Sequence, residues 1–469
     1  MAAVEADIVI RNGLLITSES TVEADLAIRG EQIVAIGKDL RAPQEWDVRG
    51  CYVLPGGVDV HVHPQMPYNG EYTSDDWFSA SRAAACGGTT TIIDFVEPAP
   101  DQPLIQALEE RLSLVKKQAY VDFSFHMTLI SAVPECLEQI PQVVARGIPS
   151  FKLYTTYVGF GLSDEELLKA FAAVRESGGL VLVHAENDAI IRWSQNRLVE
   201  RKQLSVQHYP LSRPMEAEAE AVQRVLHLAH IAQVPLYLVH LTHEASVRAV
   251  ERARQLGWQA FAETCPQYLL LDDSVFSANH YGGGVGFVCA PPLRPRGEQA
   301  KLWNDLARGV IHSIGSDHCA FNLKTQKSRG EEDFRRCPPG LPGLEPRLSL
   351  IHTFGVGRNK ISLSRWVEIC CTQPARIMGL YPRKGTLEPG SDADVVIFDP
   401  NWMVRLTQRE AQPGDYRLHE AVDYTPYEGW EIQGWPRMVF LRGRPIVMEG
   451  QPITEETWGR FLPRSPFVG

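Results

Sequence analysis

Between residues 52 and 376 short apolar runs alternate with longer amphipathic ones, and few architectures accommodate that alternation. The apolar runs fall at 52–63, 89–95, 122–129, 150–154, 180–186, 235–241, 259–266 and 312–318. Bounded by polar turns, they read as strands buried on both faces. Helix-like segments separate them at 75–86, 104–118, 163–177, 215–232, 245–256 and 298–308. The third of these opens on Ser163-Asp164-Glu165-Glu166, a capping-box start. Eight strands interleaved with helices predict an α/β chain, a (β/α)8 TIM-like barrel. The alternative, an open doubly wound sheet, requires a glycine-rich phosphate-binding turn after a strand. Gly282-Gly283-Gly284-Val285-Gly286 misses that spacing and reads as a tight or flexible loop.

The two ends of the chain have a different texture. Asp7–Arg11 precedes Asn12-Gly13, a hairpin signal, and Ala24–Arg29, Gly30-Glu31 and Gln32–Gly37 repeat the pattern. It returns at Asp394–Asp399, Arg437–Leu441, Arg442-Gly443 and Arg444–Val447. Neither end alone makes a two-layer core, and either alone would leave an apolar sheet face wet. Residues 1–54 and 377–469 are therefore expected to form one composite β-sandwich, flanking a catalytic metal-binding barrel at 55–376.

Barrels of this kind gather their chemistry at the C-terminal ends of the strands. The first strand ends Pro55-Gly56-Gly57-Val58-Asp59-Val60-His61-Val62-His63. In a strand those two imidazoles share a face, with Cα atoms ~6.6 Å apart. Such a pair taken alone reads equally well as core or surface histidines. Later strand ends add His184 in Val183-His184-Ala185-Glu186, His240 in Val239-His240-Leu241 and Asp317 in Gly315-Ser316-Asp317-His318. Lys152 lies within the apolar strand Ser150-Phe151-Lys152-Leu153-Tyr154. A buried ammonium beside cations is electrostatically poor. Its neutral amine can instead add CO2 to give a carbamate, a carboxylate able to bridge two divalent metals.

Composition narrows the class. The net charge of −11, with no Lys/Arg run interleaved with aromatics, disfavours a nucleic-acid partner. No apolar run is long enough to cross a bilayer, and Met1-Ala2-Ala3-Val4-Glu5-Ala6-Asp7 lacks the pattern of a signal peptide. Nine cysteines without a Cys-x-x-Cys pair fit a reducing compartment, so a cytoplasmic enzyme is expected.

The order of motifs along the chain resembles the hydantoinase/dihydropyrimidinase group of cyclic amidohydrolases, within the metal-dependent amidohydrolase superfamily. Beyond the histidine motif the matching pieces include Gly87-Gly88-Thr89-Thr90-Thr91, Phe151-Lys152 and Glu263-Thr264-Cys265-Pro266-Gln267-Tyr268. Further matches are Pro291-Pro292-Leu293-Arg294, Asp317-His318-Cys319, Lys384-Gly385-Thr386 and Gly390-Ser391-Asp392-Ala393-Asp394, and the likeness reaches Gly459-Arg460-Phe461-Leu462-Pro463-Arg464. The resemblance implies two metal ions, usually zinc, with His61, His63 and Asp317 on the first, His184 and His240 on the second, and carboxylated Lys152 bridging both. It also implies a homotetramer. The expected reaction is attack by a metal-bridging hydroxide on the cyclic amide of a 5-substituted hydantoin (with D selectivity) or a dihydropyrimidine, giving an N-carbamoyl amino acid. Asp317 would carry the proton to the leaving nitrogen.

Tyr157, five residues after Lys152 as in the family, would donate to the oxyanion; the plain alternative is a loop tyrosine. His126 matches no family ligand and reads as a hydrogen-bonded core residue, and His243 and His318 read as residues that support the ligands or the fold. Two positions depart from the family pattern: Ala290 replaces the usual Ser before Pro-Pro-Leu-Arg, and Pro339 replaces the usual Asn before Gly340. Both are expected to meet the ring amide through main-chain groups, and Pro339 keeps its carbonyl but has no N–H. Tyr68, Tyr154 and Phe160 are candidate walls for an apolar or aromatic exocyclic group, or ordinary loop packing. Competing readings are an allantoinase-like cyclic amidohydrolase, against which Tyr157 speaks, and a non-enzymatic dihydropyrimidinase-related scaffold, against which the six candidate ligands speak. Dihydroorotase is disfavoured because Pro64-Gln65 follows the histidine pair where those enzymes usually carry an Arg.

Overall fold

The computed structural model describes residues 5–277 and 281–467. Eight parallel strands pair in chain order: Gly57–Val62, Thr89–Val96, Asp122–Thr128, Ser150–Tyr154, Leu180–His184, Leu236–Leu238, Ala260–Thr264 and Ser313–Ile314. The seam between the last and the first is joined by a parallel bridge from Val62 to His318, where the His63 N–H donates to the His318 carbonyl at 2.8 Å. The sheet is thus a barrel, as the alternation predicts.

Side-chain parity explains how it fills. Ile93, Phe95, Leu180, Leu182, Tyr237 and Val239 belong to one buried cluster in the barrel interior. Their neighbours Ile92, Val96, Val181, Val183, Leu236 and Leu238 pack with the surrounding helices. Phe151 and Leu153 join that outer set, so Ser150, Lys152 and Tyr154 point inward.

The expected helices form at Trp77–Cys86, Leu104–Val115, Asp164–Glu176, Met215–Ala232, Glu244–Gln255 and Glu298–Arg308. Ser163 makes the reciprocal capping box with Glu166. A further helix, Asp188–Glu200, capped by Asn187, stands where the sequence reading places none. Its run of charged and amide side chains hides a narrow buried stripe of Ile191, Ser194 and Leu198. The glycine-rich segment expected to loop instead forms a 3-10 helix at Tyr281–Phe287.

Both chain ends enter one ten-stranded, mostly antiparallel sheet. Strands between Ile8 and Pro55 join strands between Val395 and Pro452 through Tyr52–Pro55, which pairs antiparallel with Val395–Phe398. Leu26, Ile28, Val53, Ile397 and Phe440 share a separate core there.

Two further local expectations change. The single run 52–63 divides at Gly56, with Tyr52–Pro55 in the terminal sheet and Gly57–Val62 in the barrel. The Gly56 N–H donates to the Asp394 carbonyl at 2.9 Å, and a Cβ there would stand 2.0 Å from Thr90 Oγ1. Asn12-Gly13 is not a hairpin turn but a bulge inside the strand Ile8–Ile16. Asn12, at φ 60°, absorbs the extra residue while its N–H donates to Asp25.

The tail after the sheet returns to the barrel. Leu462 N–H donates to the Phe123 carbonyl at 2.7 Å, Leu462 joins the interior cluster, and Arg464 donates to Ser124 and Ser150.

Candidate active site

All the residues singled out for the site line one cavity of about 350 Å³: His61, His63, Tyr68, Lys152, Tyr154, Tyr157, Phe160, His184, His240, Ala290, Asp317 and Pro339. Strand parity delivers Lys152 and His184 inward from neighbouring strands, and the barrel seam brings Asp317 beside the first strand. His61 Nε2 lies 3.2 Å and His63 Nε2 3.4 Å from the same Asp317 oxygen. His184 Nδ1 faces His240 Nε2 at 2.9 Å. The His61 ring bridges the two groups, 5.3 Å from His63 and 5.4 Å from His240 between centroids. Lys152 Nζ lies over the Phe95 and Tyr154 rings, at 5.0 and 5.2 Å.

Carboxylates behind the imidazoles set which nitrogen faces the cavity. His61 Nδ1 lies 2.7 Å from Glu263, which also accepts from the Tyr237 hydroxyl and the His240 N–H. His184 Nε2 lies 2.7 Å from Glu186. With Nδ1–H held by Glu263, the lone pair of His61 Nε2 points at an Asp317 oxygen. With Nε2–H held by Glu186, the lone pair of His184 Nδ1 points at His240. A lone pair aimed at a carboxylate is unfavourable unless a cation lies between them, whereas the His184 lone pair can accept from a His240 Nε2–H. Carboxylate-backed imidazoles are also the usual arrangement around a metal. His61, His63 and Asp317 have ligand atoms within 4.8 Å of one another, and among the described residues the buried His63 Nδ1 has no hydrogen-bond partner. The residues present therefore fit a divalent cation.

The electrostatics agree. Burial pushes His61 and His240 well below the imidazole range and lowers His184, leaving neutral rings suited to ligate. Burial also pushes Lys152 down to about 8, against the pull of Asp317, Glu263 and Glu97, so its neutral amine is within reach. Asp317 lies below the usual carboxylate range despite its burial, a shift that needs positive charge at the His61 and His63 edge, which a cation held between neutral rings would supply. Tyr157, His240 and Asp317 all adopt left-handed backbone, at φ 78°, 42° and 51°. Such conformations cost about 1–3 kcal/mol each and cluster where function fixes the backbone.

Several supporting residues escaped the sequence reading. Buried Asp59 accepts from the N–H groups of His61 and Ser316 and pairs with Arg347 at 3.2 Å. Glu186 pairs with Arg213, which also donates to the Tyr157 hydroxyl at 3.2 Å. Buried Lys327 donates to the Val288 and Pro338 carbonyls, clamping together the segments that carry Ala290 and Pro339. Glu186 alone had a readable signal, since in the expected strand 180–186 it would share the face of His184, although the strand itself ends at His184. The three histidines not read as ligands are hydrogen-bonded: His126 to Ser150 and the Val60 carbonyl, His243 to Ser246, His318 to Asp75.

Comparison with known proteins agrees with this geometry. Residues 52–446 match the model of the amidohydrolase family. The chain is 40% identical to a D-phenylhydantoinase of Escherichia coli O1:K1 / APEC, over 98% of this chain and 99% of that protein. The D-hydantoinase structure from Bacillus sp. AR9 superposes with a TM-score of 0.94 at 37% identity, covering 99% of this chain and 100% of that one. The dihydropyrimidinase structure from Brevibacillus agri NCHU1002 gives 0.94 at 37%, covering 98% and 99%.

Proposed function

The chain belongs to the amidohydrolase family, and from that membership we propose that it opens cyclic amides, hydrolysing hydantoins and dihydropyrimidines to N-carbamoyl amino acids. The observation that carries this reading is the convergence of four imidazoles, Lys152, Asp317 and the Tyr157 hydroxyl on one cavity at the C-terminal end of the barrel. The family is metal-dependent, and the His61, His63 and Asp317 cluster beside the facing His184 and His240 supports a pair of divalent ions, taken here as zinc. His61, His63 and Asp317 would hold one, His184 and His240 the other. Lys152 would join them as a CO2-derived carbamate, which replaces a poorly placed buried ammonium with a carboxylate. When bound, such ions supply Lewis acidity and a water that loses its proton near neutral pH.

The chain's own groups do the rest. Asp317, beside His61 and His63, would accept the proton of the attacking water and pass it to the leaving ring nitrogen. Burial pushes the Tyr157 phenol up, so it keeps its proton. Its oxygen accepts from Arg213, leaving its own hydrogen for the oxygen that gains charge in the transition state. Tyr68, Tyr154 and Phe160 would wall the exocyclic group, and Ala290 and Pro339 would meet the ring amide through main-chain atoms. D selectivity, a homotetramer and a cytoplasmic location belong to the same reading. Among the described residues no helix is long and apolar enough to cross a membrane.

A panel of hydantoin, 5-phenylhydantoin, dihydrouracil, allantoin and dihydroorotate tests the assignment. Opening of the first three, with dihydroorotate untouched, is expected. Turnover confined to allantoin would replace it with the allantoinase reading.

A further inference from the structure

Outside the proposed ligand set the cavity wall carries one acidic side chain, Glu97. On the second barrel strand Phe95 faces the interior and stacks on His63, with ring centroids 4.7 Å apart. Glu97, two residues on and of the same parity, lines the cavity with Met66, Pro67, Tyr68 and Asn69. Among the described residues its carboxylate takes part in no hydrogen bond or ion pair; burial pushes its pKa up, and of the charges at longer range His63, Arg111 and Lys152 oppose that rise while Asp94 adds to it. Arg111 does not serve it, because its donors go to Asp94 and to the Pro64 and Gln65 carbonyls. Apart from Glu97, the charged or titrating groups that line the cavity are those of the site itself: the four histidines, Lys152 and Asp317, together with the tyrosines and Cys319. Among the described residues no Arg or further Lys lines it to receive an anion.

We propose that Glu97 selects substrates by charge, favouring rings whose 5-substituent ends in an ammonium or a strong N–H donor and rejecting rings that carry a carboxylate. The inference rests on the ring-opening activity proposed above and adds a substrate class to it. A half-enclosed carboxylate without a partner gains from a cation that a neutral wall would leave to water. An incoming 5-substituent carboxylate meets like charge with no Arg or further Lys on the wall beside Glu97 to offset it, which is how a site excludes a competitor.

The test compares kcat/KM of the metal-loaded enzyme and Glu97→Gln at neutral pH. The substrates are 5-(4-aminobutyl)hydantoin, its neutral 5-pentyl counterpart and 5-(2-carboxyethyl)hydantoin, with hydantoin itself as reference. Glu97→Gln is expected to lower the amine-to-neutral ratio about tenfold and to raise the carboxylate-to-neutral ratio by a similar factor. Bound metal per chain should not change. Unchanged ratios with hydantoin still opened overturn charge selection alone. Loss of metal from Glu97→Gln also overturns it, because the carboxylate would then belong to the metal shell. A wild-type enzyme that leaves hydantoin closed overturns the ring-opening assignment, and this inference with it.

Discussion

The Arg213 guanidinium donates to the Tyr157 hydroxyl at 3.2 Å, and the same group pairs with Glu186 behind His184. One buried side chain thus orients both the phenol proposed to stabilise the oxyanion and an imidazole proposed to bind metal. Arg suits this position because its planar fork reaches two partners at once, whereas a lysine offers a single point charge.

Arg213→Lys is therefore expected to stay folded while kcat falls about 100-fold, the scale of a misplaced oxyanion donor. Arg213→Met leaves Glu186 buried without its cation and should cost about 3–5 kcal/mol of stability. Steady-state kinetics and urea unfolding on both variants separate the two effects. An Arg213→Lys enzyme with wild-type kcat would remove Arg213 from the positioning role.

Tyr157→Phe keeps the ring and deletes the proton. Turnover should drop about 10²–10³-fold with metal content intact. Metal analysis beside the kinetics is the check, and zinc lost from this variant would count against the oxyanion role.

Lys152→Ala removes the proposed bridge. The purified variant should carry little metal and show almost no activity, and a short carboxylic acid such as acetate or propionate should partly restore both. Full activity without added acid would end the bridging assignment. Stripping metal from the wild-type enzyme with a chelator should abolish activity and lower the thermal midpoint, both recovering when zinc returns.

A second ionised pair ties the terminal sheet to the barrel. His419 Nδ1 lies 2.8 Å from Glu345, and Cys86 at the end of the first barrel helix stands close by. Burial opposes a charge on His419, but Glu345 and Cys86 overcome it and push the imidazole up to about 11. A folded pKa above the unfolded value of about 6.5 gives stability that is complete below 6.5 and is lost as pH climbs through 11. The stability advantage of the wild type over Glu345→Gln should accordingly shrink from neutral pH toward pH 11 in urea titrations. Parallel curves would show that the pair contributes nothing through its charge.

The barrel was legible because its strands are short, apolar and regularly spaced, and because His61, His63, Lys152, His184, His240 and Asp317 sit where such strands end. Parity then explains why residues far apart in sequence meet. Arg213, Asp59 and Lys327 were not legible, since each acts through a partner brought near only by the fold. Asn12-Gly13 misled because a glycine pair permits either a turn or a bulge, and the choice depends on Asp25 and on packing against Val53. Helix Asp188–Glu200 was missed because its buried stripe is too narrow for periodicity to reveal.

The break at Gly56 makes the segment from Leu54 to His63 a short rod anchored at one end in the terminal sheet and carrying two proposed ligands at the other. Its pivot has no room for even a methyl group against Thr90. Damage to the sheet, many residues from any imidazole, would therefore surface first as weakened metal retention while the barrel stayed intact.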